Sequence, residues 1–249
     1  MAGWFVYVIE SPRDTDLLDG RSEGQALCSA LKLAEIPHFY SLVTTPNSFE
    51  VSLGERLAEA SAKSEGRLPI LHFSMHGNKE GVALTNGKFL TWGDLRTALQ
   101  PLIERLEGEL VVCMSSCHGH WAMNMALNED PARPYGALIG NAADANWSDS
   151  AVAFIAFYHR LFSGASLEES VSAMRAASGD NNFFLTDGSR VKSAWTTMMD
   201  RARSANLVAA LRGIPPQQGA LARLFTDEPV LPEPRGALSR VFDSTEPKT

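Results

Sequence analysis

The chain alternates short apolar runs with segments whose apolar residues recur at helical spacing. "WFVYVIE" reads as a first strand, followed by a polar, turn-rich loop from Ser11 to Gly24. "QALCSALKLAEI" sets Ala26, Leu27, Leu31, Leu33 and Ala34 on a helix, and "PHFYSLV" is a second strand. "SFEVSLGERLAEASAK" predicts a second helix with Ser48 as its N-cap. "PILHFSM" is a third strand, apolar enough to lie inside a sheet, and "GVALTNGKFLTW" carries a hairpin signal at Asn86 and Gly87. "TWGDLRTALQPLIERL" opens with a capping pattern from Thr91 to Asp94, and Pro101 is expected to kink or divide that helix. "ELVVCM" and "YGALIGNA" are the fourth and fifth long strands. "AVAFIAFYHRLF" is a nearly all-apolar helix expected to be buried, and "SLEESVSAMRAAS" starts with a capping box of Ser166 and Glu169. Strands and helices alternating in this way predict βαβ units, and hence an α/β fold with a mainly parallel sheet and helices on both faces. From Pro215 the chain turns polar and Pro-rich, so residues 1–214 are expected to form one domain and 215–249 a tail or packed-on extension.

Composition narrows the function classes. With 249 residues, 45% of them hydrophobic, the chain can bury a full core. A net charge of −7 without a basic stretch argues against a nucleic-acid or anionic-membrane binder, whose phosphate contacts need clustered Lys and Arg. The opening "MAGWFVYVIESP" has a six-residue apolar core and no positive segment, so it is expected to be a strand and not a signal peptide. No run approaches the roughly eighteen apolar residues that span a bilayer. Cys28, Cys113 and Cys117 are too few for a disulfide framework, so a reducing, cytoplasmic setting is expected.

The chemistry concentrates in two stretches, "LPILHFSMHGN" and "LVVCMSSCHGHW". In an open parallel sheet, ligands bind outside the carboxyl ends of the strands. His76-Gly77 follows the third strand and Cys117-His118-Gly119 follows the fourth. If those strands are neighbours, an imidazole faces a thiol, as a thiolate nucleophile requires. Glycine after the histidine lets backbone approach substrate, and the N–H groups of Gly77 and Cys117 are candidates for an oxyanion hole. The rival reading is zinc held by Cys113, Cys117, His118 and His120. It would draw four ligands from one eight-residue stretch, unlike the paired ligand hairpins of structural sites, so no metal is expected. Cys28 and Cys113 read as core residues, and His72 as a satisfied core histidine. No GxSxG, P-loop or GxGxxG motif is present, and no cofactor is expected.

An apolar strand ending in His-Gly, followed by one ending in Ser115-Ser116-Cys117-His118-Gly119, resembles the caspase-like clan of cysteine peptidases: caspases, metacaspases, separase and the CHAT-type proteases. The resemblance extends from Trp4 to Ser178. Ser115 and Ser116 depart from the Gln-Ala of caspases, which points to the clan and away from a true caspase. It implies a three-layer caspase-like sandwich with His76 and Cys117 as catalytic dyad, acting by limited proteolysis of a protein or peptide substrate, often in defence or cell death. It also implies a regulator: cleavage, a partner or calcium that rearranges the loops. In separase-like and metacaspase-like members an acid in the loop after the fifth strand binds a basic P1 side chain, which assigns substrate binding to Asp144 and Asp149. Asp149 reads equally as a cap of the next helix. Arg21 lies where caspases bind a P1 aspartate. The competing class is a catalytically silent interaction module of the same fold.

Overall fold

The computed structural model describes residues 3–211. Its strands are β1 (Trp4–Ser11), β2 (His38–Leu42), β3 (Leu68–Asn78), β4 (Gly81–Ala83), β5 (Phe89–Thr91), β6 (Val111–Ser115), β7 (Ala137–Asn141) and β8 (Phe183–Asp187). The helices are α1 (Asp14–Leu18), α2 (Glu23–Leu33), α3 (Pro46–Val51), α4 (Leu57–Lys63), α5 (Trp92–Arg105), α6 (Trp147–Phe162), α7 (Leu167–Ser178) and α8 (Gly188–Leu211). A π-helical turn (Ser52–Arg56) joins α3 to α4, and a 3-10 segment (Gly119–Ala126) follows β6. The main sheet runs in the order β2-β1-β3-β6-β7-β8. All its pairings are parallel except that of β7 with β8. β4 and β5 form a hairpin on the end of β3. Met1–Trp195 is one compact unit holding the sheet; Thr196–Thr249 is a second, whose described part is the remainder of α8. The boundary expected at Pro215 lies outside the described residues. No helix among the described residues is long and apolar enough to cross a membrane.

Each central strand is buried on both faces, which is why it reads as a continuous apolar run rather than an alternating one. Phe5, Tyr7 and Ile9 of β1 join Leu71 and Phe73 of β3 and Val112 and Met114 of β6 in a core that Phe49, Leu57, Leu95 and Leu99 close from α3, α4 and α5. On the opposite face His72 packs against Phe154 and Tyr158 of α6, its Nδ1 3.1 Å from the Tyr158 hydroxyl. Helices therefore cover both sides and make the three-layer α/β sandwich. Backbone packs closely on backbone where the 3-10 segment crosses β7. A Cβ at Gly140 would stand 2.6 Å from the His120 nitrogen and 2.7 Å from the Gly119 carbonyl carbon. Backbone on that side cannot yield as a flexible side chain would. Gly140→Ala is expected to destabilise the protein by about 1–3 kcal/mol, read as a lower denaturant midpoint at unchanged slope.

Local signals were stronger than expected in one place and weaker in another. The second helix begins earlier than Ser48: Thr45 is its N-cap, Pro46 takes the first helical position, and Ser48 closes a capping box with Thr45. Pro101 lies inside α5 without dividing it. It is exposed, so water can take the carbonyl that its missing N–H leaves unbonded. Thr91 and Asp94, and Ser166 and Glu169, form reciprocal capping boxes as their spacing predicts.

Candidate active site

β3 and β6 pair with a constant offset, from Ile70 opposite Val111 to Ser74 opposite Ser115. His76 and Cys117 each lie two residues beyond that last pair, so the ladder brings them level at the carboxyl edge of the sheet. Both line one pocket, together with Glu23, Ser74, Ser116 and Trp147. Gly77 sits against the Cys117 turn: a Cβ there would meet the Cys117 carbonyl oxygen at 3.0 Å, the Gly81 oxygen at 3.1 Å and the Ser116 Cβ at 3.2 Å. Gly77→Ala is therefore expected to push these backbones apart and cut turnover at least tenfold with little change in melting, since small displacements of reacting groups cost more in rate than in stability. Paired kinetics and thermal melts check this.

The Cys117 turn is tightly specified. His118 takes a left-handed conformation, φ 55°, and starts the 3-10 segment. Its N–H donates to the Ala143 carbonyl at 2.9 Å and its Nδ1 lies 3.0 Å from the Ala142 carbonyl. The Cys117 sulfur accepts from the Ala145 N–H at 3.4 Å and lies 3.5 Å from the Ala145 carbonyl oxygen. Thiol environments differ sharply along the chain: burial pushes Cys113 up to about 12, and burial with the charges of Glu10 and Glu23 pushes Cys28 up to about 12. Neither forms a thiolate near neutral pH. All three cysteines are free.

His76 is held by two neighbours. Its Nε2 lies 2.8 Å from Oδ2 of Asp16, and its ring packs on Trp147 with centroids 5.2 Å apart. Asp16 belongs to the short α1, inside the stretch expected to be loop. Burial alone would raise the Asp16 carboxyl. Hydrogen bonds from His76 and the Arg13 N–H, with the charges of His76 and Arg21, outweigh it and hold Asp16 below the usual carboxylate range.

Glu23, the first residue of α2, is the acid that reaches the pocket. Its side chain is 3% exposed, and neither carboxylate oxygen has a hydrogen-bond partner among the described residues. The Nε2 of His72 stands 3.8 Å from Oε2 and is likewise without a hydrogen bond. Glu10 at the end of β1 fixes the start of α2, accepting from Ser22 Oγ at 2.5 Å and from the Gly24 N–H at 2.9 Å. Neither Asp16 nor Glu23 stood out in the sequence. One lies in a short polar stretch, and the other follows a capping serine, where an acid ordinarily serves the helix dipole.

Asp144 and Asp149, expected to bind substrate, are not among the residues lining the pocket that holds His76 and Cys117. Asp144 is 90% exposed and turns to His118 Nε2 at 3.1 Å. Asp149 sits in the first turn of α6, within hydrogen-bond reach of Asn146 and Ser148. Arg21 pairs with Asp16 and Asp19 at 3.0 and 2.8 Å. Cys113 is fully buried in β6, and His120, which burial pushes down to about 4, packs on Phe184, so the four ligands weighed for zinc do not converge.

No protein-family model matches the chain, and no curated protein matches it. Solved structures do. A secreted C11 cysteine protease from Bacteroides thetaiotaomicron, "iotapain", aligns with a TM-score of 0.49 at 9% identity over 76% of this chain and 68% of that one. A structure of a secreted C11 cysteine protease from the same organism, in complex with an irreversible peptide inhibitor, aligns with a TM-score of 0.52 at 9% identity over 77% of this chain and 68% of that one. The second likeness is one of fold, and it identifies the sandwich as the caspase-like α/β architecture.

Proposed function

We propose that the protein is a cysteine endopeptidase that cuts protein targets after a basic P1 residue, with Cys117 as nucleophile and His76 as general base and acid. The observation that carries this is the convergence of His76 and Cys117 on one pocket at the carboxyl edge of a caspase-like sheet. In the mechanism, His76 takes the thiol proton and the sulfur attacks the scissile carbonyl carbon. The tetrahedral oxyanion is assigned to the N–H groups of Gly77 and Cys117. Its collapse breaks the C–N bond, and the imidazolium protonates the leaving amine. Water, deprotonated by the same imidazole, then attacks the thioester carbonyl. The acid product leaves, and the thiol regains its proton.

The substrate-binding role first given to Asp144 and Asp149 passes to Glu23. A buried carboxylate without a hydrogen-bond partner among the described residues is costly, and an arriving guanidinium or ammonium offsets that cost with charge-assisted hydrogen bonds. The cytoplasm is the compartment proposed, because a free nucleophilic thiol is kept reduced there. Cleavage of a P1-varied fluorogenic peptide series by wild type and Cys117→Ala tests the reading. Equal turnover by both would overturn it in favour of a binding module.

A further inference from the structure

We infer that Asp16 is a positioning residue for His76, turning the expected dyad into an Asp-His-Cys relay. The inference rests on the peptidase reading of His76 and Cys117. Three observations and one chemical constraint support it. The Asp16–His76 contact is 2.8 Å between side chains only 10% and 17% exposed, where solvent screens it little. An ionised carboxylate can only accept, so His76 carries its proton on Nε2, and Nδ1 is left as the basic nitrogen for the thiol. The carboxylate is itself fixed, by Arg21 at 3.0 Å on Oδ1 and by the Arg13 N–H at 3.3 Å on Oδ2. Trp147 packs on the ring, centroids 5.2 Å apart.

This geometry acts on the step in which the thiol proton moves to Nδ1. The imidazolium then faces a carboxylate already in place, which favours the thiolate–imidazolium pair over the neutral pair. The charged groups around His76 are Asp16 from α1, Arg21 from the turn after it, Glu23 from α2 and Cys117 beyond β6. β4 brings Ala83 opposite His76 and α6 brings Trp147, neither of which titrates. Arg21 is 61% exposed and shared with Asp19, so its opposing charge is largely screened.

The test uses full-length Asp16→Asn and Asp16→Glu beside Cys117→Ala and His76→Ala. Two readouts are taken: steady-state cleavage of an Arg-P1 peptide amide, and the pH dependence of Cys117 alkylation by iodoacetamide. Asp16→Asn should lower kcat about a hundredfold with little change in KM, and shift thiolate formation up by about one pH unit. Asp16→Glu, which keeps the charge and moves it by one methylene, should recover part of both. A merely structural aspartate would lower stability without moving the alkylation profile. If Asp16→Asn proves unstable, the alkylation profile of Asp16→Glu carries the test alone. An unchanged profile and kcat, with Cys117→Ala and His76→Ala inactive, would overturn the relay and leave the peptidase reading standing. Turnover in Cys117→Ala would remove both.

Discussion

Cys117→Ala and His76→Ala are each expected to abolish peptide cleavage, and Cys117→Ala to abolish labelling by an electrophilic peptide probe, with far-UV circular dichroism and cooperative melting preserved. The chemical reason is selectivity among three thiols. Cys28 and Cys113 are both pushed up to about 12, by burial and, for Cys28, by neighbouring carboxylates as well. Cys117 lines the same pocket as the His76 imidazole. A peptidase without its nucleophile retains only what binding and the oxyanion donors supply, so the loss in kcat should reach about 10⁴-fold or more. The structural reason is that neither residue belongs to the buried core, so their removal leaves no large cavity. Retained probe labelling in Cys117→Ala would point to another thiol; retained turnover would sink the proposed chemistry altogether.

The second large effect is expected at Glu23. Wild type should cleave an Arg-P1 peptide far faster than its Asp-P1 counterpart, and Glu23→Gln should lose roughly 2–5 kcal/mol of transition-state stabilisation for the Arg peptide, as truncation of one member of a buried charge pair does. Stability should move the other way. Glu23 is a buried carboxylate without a hydrogen-bond partner among the described residues, so a neutral amide of the same shape should raise the unfolding midpoint or leave it unchanged. That opposition, weaker catalysis with no loss of stability, separates a pocket residue from a structural one. Asp144→Ala and Asp149→Ala serve as controls and should leave P1 preference intact. A preference that collapses in either of them while surviving Glu23→Gln would return the pocket to the loop after β7.

Much of this was legible before any coordinates, for reasons that differ by element. β1, β3, β6 and β7 are sandwiched between helix layers, so their apolar runs were nearly continuous and announced both the strands and the parallel sheet. That His76 and Cys117 come level at one sheet edge was readable from their places just past two strands, His76 before Gly77 and Cys117 two residues before Gly119. β8 gave no comparable signal. It is a short antiparallel edge strand with Phe184 exposed and only Phe183 and Thr186 buried, and edge strands carry neither a long apolar run nor a clean alternation. Asp16 was hidden by the brevity of α1, five residues in a polar stretch where no periodicity can accumulate. Asp144 and Asp149 lay in the loop where an acid was expected. Proximity along the chain did not decide direction: the backbone of residues 142–145 is committed to His118 and Cys117, which turns Asp144 outward.

The shared ladder offset of β3 and β6 has a consequence for length variation. The distance in sequence between His76 and Cys117 is set by a hairpin, a helix and their turns, and lengthening a surface loop there by a few residues costs little closure entropy. What cannot vary is the short step from each ladder to its side chain, Ser74 to His76 and Ser115 to Cys117. One residue gained or lost in either step would turn imidazole and thiol to opposite faces of the sheet. A more distant relative of this chain should therefore be sought by two strand-end patterns with a variable gap between them. Insertions into the tip at Asn86-Gly87 should be silent, while a single deletion at Ser116 should be lethal to function.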